Sequence, residues 1–311
     1  MGPVEMWEMK SATRTGRAQR SGIIRRLLAV SALLGLSALT GCSAVRLAYH
    51  QAPELAYWVL DDYADFNSTQ SLRLKADLVE LQAWHRQTQL PAYAQTLQQL
   101  QQRLPGDITA AQVCSVVAEA RDRLKTALDQ AEPAASALAA TLQPAQLAVM
   151  AGKFDKGNAQ WRSDYLDATP QKVRAKRLEQ ATDRAEMLYG RLNDAQLEVL
   201  KGAVAASGFD AALMYAERLR RQQDTLQTLH AMSAPSATST AAPRPAMQAL
   251  MERLQQSSNP AYRRYQDALT QEGCSTVAAL HQRATPAQRQ KAVLALKDYE
   301  QSFRALAASA P

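Results

Sequence analysis

The sequence predicts an all-α protein, a bundle or array of about 10–12 helices with no sheet, and three observations predict it. Ala, Leu, Gln and Arg dominate, all strong helix formers, while β-branched residues are sparse. No run alternates apolar and polar residues as a half-buried strand would. Helix-start signals recur: a capping residue with glutamine three positions later occurs at Asn67/Gln70, Thr109/Gln112, Gln143/Gln146, Asn193/Gln196 and Thr285/Gln288. In such a box the cap side chain accepts from the N3 amide while the glutamine reaches back to the cap amide. Pro144 and Pro286 follow their caps at N1, where a missing N–H costs nothing. Gln143 is a poor cap, and its copy is the weakest.

Helical apolar spacing joins these marks. Ala56, Val59, Leu60, Tyr63 and Phe66 form one stripe; Leu74, Leu78 and Leu81 form another. The last stripe is the cleanest: Ala292, Leu296, Tyr299, Phe303 and Leu306. Helices are predicted near 53–66, 69–88, 91–104, 110–130, 134–141, 145–166, 170–191, 194–206, 209–231, 246–257, 260–272 and 286–307. The crowded aromatics Tyr49, Tyr57, Trp58, Tyr63 and Phe66 are expected in the core of the first helices. Residues 233–245, rich in Ala, Pro, Ser and Thr, read as a flexible loop or linker. The spacing of the caps shares no period, which argues against a solenoid.

The first 41 residues read as a secretory signal. Arg14, Arg17, Arg20, Arg25 and Arg26 supply its charge, with the Arg25-Arg26 pair taken as ordinary signal charge rather than twin-arginine export. The apolar run Leu27–Leu39 is too short to span a bilayer, which takes roughly 20 residues. It ends in Leu39-Thr40-Gly41-Cys42, which resembles the lipobox of bacterial lipoproteins. That resemblance implies cleavage between Gly41 and Cys42, a diacylglyceryl thioether on Cys42 and acylation of its freed amine. Several acyl chains give stable anchoring where one would be marginal. The domain plan is then a signal peptide at 1–41, a lipid-anchored tether at 42–52 and a single helical periplasmic domain over 53–311. By Gram-negative sorting rules Ser43 implies the periplasmic face of the outer membrane; an aspartate there would imply inner-membrane retention, the alternative location.

The formal charge of +7 belongs largely to the signal. Removing its six Lys/Arg and two Asp/Glu leaves 30 positive against 27 negative charges, or +3. That balance speaks against a nucleic-acid partner. The basic clusters Lys172/Arg174/Lys176/Arg177 and Arg218/Arg220/Arg221 read as solvated helix faces. The expected partners are membrane lipid, through Cys42, and an envelope protein of unknown identity. With Cys42 taken by lipid, Cys114 and Cys274 form an even pair that reads as a disulfide in an oxidising compartment, the alternative being two buried thiols.

Catalytic residues, metal ligands and cofactors are not indicated. Asp61-Asp62-Tyr63-Ala64-Asp65 resembles the magnesium-diphosphate motif of helical prenyl synthases, but no second acidic motif accompanies it, and Asp61 and Asp65 lie opposite the apolar stripe. His50, His85, His230 and His281 show no ligand spacing. No nucleophile elbow or phosphate-cradling loop occurs.

Two family resemblances complete the reading. Cys42-Ser-Ala-Val-Arg-Leu-Ala-Tyr49, Tyr57-Trp58, Asp65-Phe66-Asn67, Trp84-His85-Arg86, Leu90-Pro91-Ala92-Tyr93 and Thr285-Pro286-Ala287-Gln288-Arg289 together resemble an uncharacterised family of proteobacterial lipoproteins carrying a domain of unknown function. Leu192-Asn193-Asp194-Ala195-Gln196 and the Thr285 start also resemble the L-T-x-x-Q motifs of the Spy and CpxP group of periplasmic chaperones. The sequence therefore leads to an envelope lipoprotein acting as a helical binding or scaffold module. A chaperone-like stress protein is the alternative, and a cryptic enzyme the third reading.

Overall fold

A computed structural model describes residues 40–233 and 243–309. The stretch before residue 40, most of the expected signal at 1–41, lies outside the described residues. Among the described residues there are eleven α-helices and no strand. They are α1 (Thr40–His50), α2 (Ala52–Ala64), α3 (Ser68–Arg103), α4 (Ala110–Ala139), α5 (Pro144–Trp161), α6 (Pro170–Tyr189), α7 (Asp194–Ala206), α8 (Ala211–Ser233), α9 (Pro243–Gln255), α10 (Pro260–Gln282) and α11 (Pro286–Ala308). A π-helical turn, Arg162–Leu166, continues α5. Within it the Asp167 amide donates to the Arg162 carbonyl at 2.8 Å.

Several boundaries differ from expectation, each for a visible reason. The break expected before Pro91 is absent, and α3 runs through it. A proline inside a helix costs about 3 kcal/mol. Here Leu90 and Ala94, on either side of it, are almost wholly buried, 1% and 0% exposed. The next helix of the stack holds this stretch: Tyr93 meets Phe303, Gln101 donates to Glu300 at 2.7 Å, and Arg304 donates to Gln98 at 3.1 Å. The α3–α11 packing is the most extensive helix pairing in the structure. Pro133 is likewise carried inside α4, between buried Glu132 and Ser136. The helix expected to end at 272 continues to Gln282, so Cys274 lies within α10.

The stretch read as a tether, 42–52, is helical to His50 and is held on both sides. Helix α1 packs on α11; the Tyr49 hydroxyl lies 3.0 Å from His85 Nδ1, and Gln82 donates to the Tyr49 carbonyl. Its Val45, Ala48 and Tyr49 have helical spacing, a signal the tether reading passed over. The 233–245 linker is narrower than expected: Ser233 closes α8, Pro243 opens α9, and 234–242 lie outside the described residues.

Helices after that segment pack on helices before it: α9 and α10 against α4, and α11 against α3 and α6. The apolar interior forms two clusters. One gathers Leu104, Ile108, Tyr189, Leu192, Leu200, Leu280, Ala284 and Ala292. The other gathers Ala64, Ala139, Leu142, Leu147, Leu229, Met247 and Leu250. Cys114 and Cys274 stand at disulfide distance with Cα atoms 5.5 Å apart, well within the range a bridge requires, and join α4 to α10.

Candidate functional site

Two open apolar grooves stand out among the concave features of the described residues. The larger, about 590 Å³, runs between α2, α3 and α4. Leu60, Tyr63 and Phe66 form one wall, and Leu74, Leu78 and Leu81 the second. The third wall is the alanine-rich side of α4, Ala131, Ala134, Ala135 and Leu138. Small side chains there leave the trough open, while Leu142, Met150, Leu229 and Met247 floor it with the second apolar cluster. The charged residues of its lining are Arg73, Asp77 and Glu80, and Arg73 and Asp77 pair one helical turn apart. A trough lined this way recognises an apolar segment by burying it.

The second groove, about 500 Å³, lies between α6, α7 and α10. Several of its polar groups are already engaged. Arg177 stacks over Phe209 with 4.3 Å to the ring centre and donates to the Ser207 hydroxyl at 2.8 Å. The Glu272 carboxylate accepts from that hydroxyl at 2.9 Å and from the Gly208 amide at 3.1 Å. Burial lowers the Arg177 pKa, and the nearby Tyr265, Glu272 and Tyr165 oppose the shift.

The residues weighed for chemistry do not converge. Asp61 Oδ1 accepts from the Phe66 amide at 2.9 Å, closing the end of α2. Asp62 pairs with Lys153 on α5. Asp65 takes the left-handed backbone, φ 47°, and offers its carbonyl to Gln146 at 3.0 Å. The motif thus serves the α2–α3 corner. His50 and His230 are exposed, and His85 stacks between Tyr49 and Tyr93. His281 is fully buried. No group of three His, Cys, Asp or Glu stands together as a metal cage among the described residues. Gly41 and Cys42 fall in the first turn of α1.

The expected aromatic core at the start of the chain is corrected in part, Phe66 packing against the second cluster. Trp58 is 61% exposed, and Val59 of the same stripe equally so. Tyr57 instead donates to Ser71 at 3.0 Å with Lys75 over its ring, while Tyr63 meets Phe154. Periodicity showed an amphipathic helix but not which side its neighbours would cover.

The sequence marked the five capping glutamines singly; the structure pairs four of them. Gln70 and Gln146 exchange amide hydrogen bonds of 3.1 and 2.8 Å, clasping the starts of α3 and α5 beside the second cluster. Gln70 also donates to the Thr141 carbonyl at 2.9 Å. Gln288 donates to Gln196 at 2.7 Å and to the Arg191 carbonyl at 3.0 Å, clasping α7 and α11 beside the first cluster. There the Gln196 Nε2 is buried without a partner. Gln143, the weak cap, receives the reach of Gln146 on its amide at 2.9 Å, but its own side chain donates to Thr141 instead. Each clasp unites helix starts more than 70 residues apart. Gln70→Ala or Gln146→Ala is expected to cost about 1–3 kcal/mol, the price of orphaning a buried amide. The double variant should cost less than the sum, because each single change already breaks the shared bonds. Urea denaturation of the four proteins measures this, and strict additivity would refute the clasp.

Another buried unit was invisible in the sequence. The Gly106 carbonyl can only accept, so His281 Nε2, 2.8 Å away, carries the proton. His281 Nδ1 then accepts from the Tyr189 hydroxyl at 2.8 Å. Burial pushes the Tyr189 phenol up to about 12, against the nearby Arg289. The Tyr–His–carbonyl chain ties α6, α10 and the α3–α4 loop together.

Fold and grooves thus define an all-helical protein with two open, largely apolar grooves. A family of unknown function (DUF6279) matches residues 62–263, well over half of the chain, and the chain belongs to that family. No curated protein and no solved structure matches it.

Proposed function

We propose that this protein is a cell-envelope lipoprotein, cut before Cys42 and lipid-anchored at the periplasmic face of the outer membrane. Its single helical domain acts as a binding or scaffold module. The observation that carries the reading is Leu39-Thr40-Gly41-Cys42 at the end of a charged, apolar signal. The Cys114–Cys274 pair supports it, since such bridges persist in oxidising compartments. The α2–α3–α4 groove is the binding surface, and its ligand is an apolar segment of an envelope protein.

A chaperone-like role is the second reading, favoured by the open, unspecialised apolar lining of the same groove. One experiment addresses anchor and groove together. Palmitate-analogue label should enter the wild type and vanish in Cys42→Ser; label surviving the substitution refutes the anchor. A photo-crosslinking residue replacing Leu138, in the groove, should capture envelope proteins that the same residue at exposed Leu124 does not. One dominant product indicates a scaffold partner, many unrelated products a chaperone, and equal capture at both positions removes the groove from the proposal.

A further inference from the structure

We infer that the outward face of α1 and α2 lies in the headgroup layer of the membrane that carries the anchor. This inference rests on the lipoprotein reading and deepens it. Leu47, Leu55, Trp58 and Val59 are 64%, 48%, 61% and 61% exposed, an unusual run of apolar exposure at one end of the chain. They share one side. The Gln51 amide donates to the Leu47 carbonyl and the Leu55 amide to the Gln51 carbonyl, so helical bonds flank the junction at Gln51 on both sides, although Pro53 has no N–H to give. At 3.6 residues per turn, positions 47, 51, 55, 58, 59 and 62 then fall within about a third of the circumference.

The other sides of α2 are occupied: Glu54 pairs with Lys75 and Tyr57 bonds Ser71 on α3, while Tyr63 meets Phe154 on α5. What remains outward is Leu, Trp and Val edged by Gln51 and Asp62. The Asp62 charge is met by Lys153 and the Glu54 charge by Lys75, so these two acids meet an anionic lipid surface already paired.

The anchor decides the occupant. Because Cys42 already lies in the first turn of α1, no slack chain separates lipid from body. With about 1.5 Å of rise per residue, Leu47 stands roughly 7 Å and Trp58 roughly 24 Å along the helix from Cys42. An acylated Cys42 therefore brings this face against the bilayer, where an amphipathic indole ring prefers the interface.

The test reconstitutes the mature lipidated protein in phosphatidylethanolamine–phosphatidylglycerol vesicles containing lipids brominated at shallow or deep acyl carbons. The difference in emission between wild type and Trp58→Phe isolates Trp58. Shallow bromine should remove most of that emission and deep bromine little, and Leu55→Glu with Val59→Glu should restore it while palmitate label stays. Labelled protein whose Trp58 emission ignores both bromine positions overturns the inference and leaves the anchor standing. Missing label refutes the anchor itself. A concentration-dependent dimer of Cys42→Ser that shields Trp58 from acrylamide assigns the face to a second copy and also overturns the inference.

Discussion

Replacing Cys114 and Cys274 together by serine is expected to lower stability by about 5 kcal/mol, the chain-entropy value for a loop of 160 residues. Whole domains are stable by about 5–15 kcal/mol, so the variant should sit near its unfolding threshold at ambient temperature. The loop it opens holds α5 to α9 and the segment 234–242. Without the bridge, α10 stays on α4 through weaker contacts, among them an Arg121 donation to Thr270 at 2.8 Å at an exposed position. The measurement is urea unfolding with and without reductant. Wild type should lose stability on reduction, and the double serine variant should be indifferent to reductant. A wild type whose midpoint ignores reductant, or whose two thiols alkylate in the native state, sinks the prediction.

The cysteine pair was legible because the residues were few and the compartment was implied by the signal; chain distance could not say which helices would meet. Capping boxes were legible because they are local, needing only a cap and a glutamine three residues on. Their pairing was not, since it depends on which helix starts approach in space. The same limit explains α3. Pro91 is a local stop signal, and only the burial of Leu90 and Ala94 against α11 shows why it is overridden. Tertiary packing outweighs local preference there, as it does at Pro133.

The candidate site was less legible than the fold. Leu74, Leu78 and Leu81 were marked as a stripe, yet their role as a groove wall follows from the small residues opposite, Ala131, Ala134 and Ala135. An alanine run in a helix reads as propensity before it reads as space. Likewise, the Val59/Leu60/Tyr63 stripe looked like core, and the structure divides it between a groove wall and an outward face. Buried charge was hidden for a related reason: Glu132, 2% exposed, is held by Arg244, 112 residues away, and by Ser136.

Acid should destabilise this protein in large part through one carboxylate, Glu217 on α8. Its side chain is 4% exposed and accepts from Arg220 Nε at 2.8 Å and from Arg221 Nε at 2.7 Å. Burial pushes its pKa up, but the hydrogen bonds from Arg220, Arg221 and Ser257 and the Arg220 charge outweigh it, and Glu217 falls from 4.5 to about 2. A carboxyl depressed by folding contributes its stability in full above the unfolded value and loses it as pH falls through the folded one. The window therefore runs from about pH 4.5 down to about pH 2, and the shift corresponds to roughly 3 kcal/mol. Much of the α8–α9–α10 corner hangs on it: Arg221 also donates to the Leu254 carbonyl at 2.8 Å, and Arg253 binds Asp224 at 2.8 Å. Glu119, Glu132, Asp164, Asp224 and Glu300 are lowered too, so the wild-type acid limb is a sum. Glu217→Gln isolates one member. The variant should be less stable than wild type at neutral pH, and the gap should close toward pH 2, where the wild-type carboxyl takes up its proton. Urea midpoints across that range measure the gap; a difference that stays constant with pH would refute the assignment of the acid transition to Glu217.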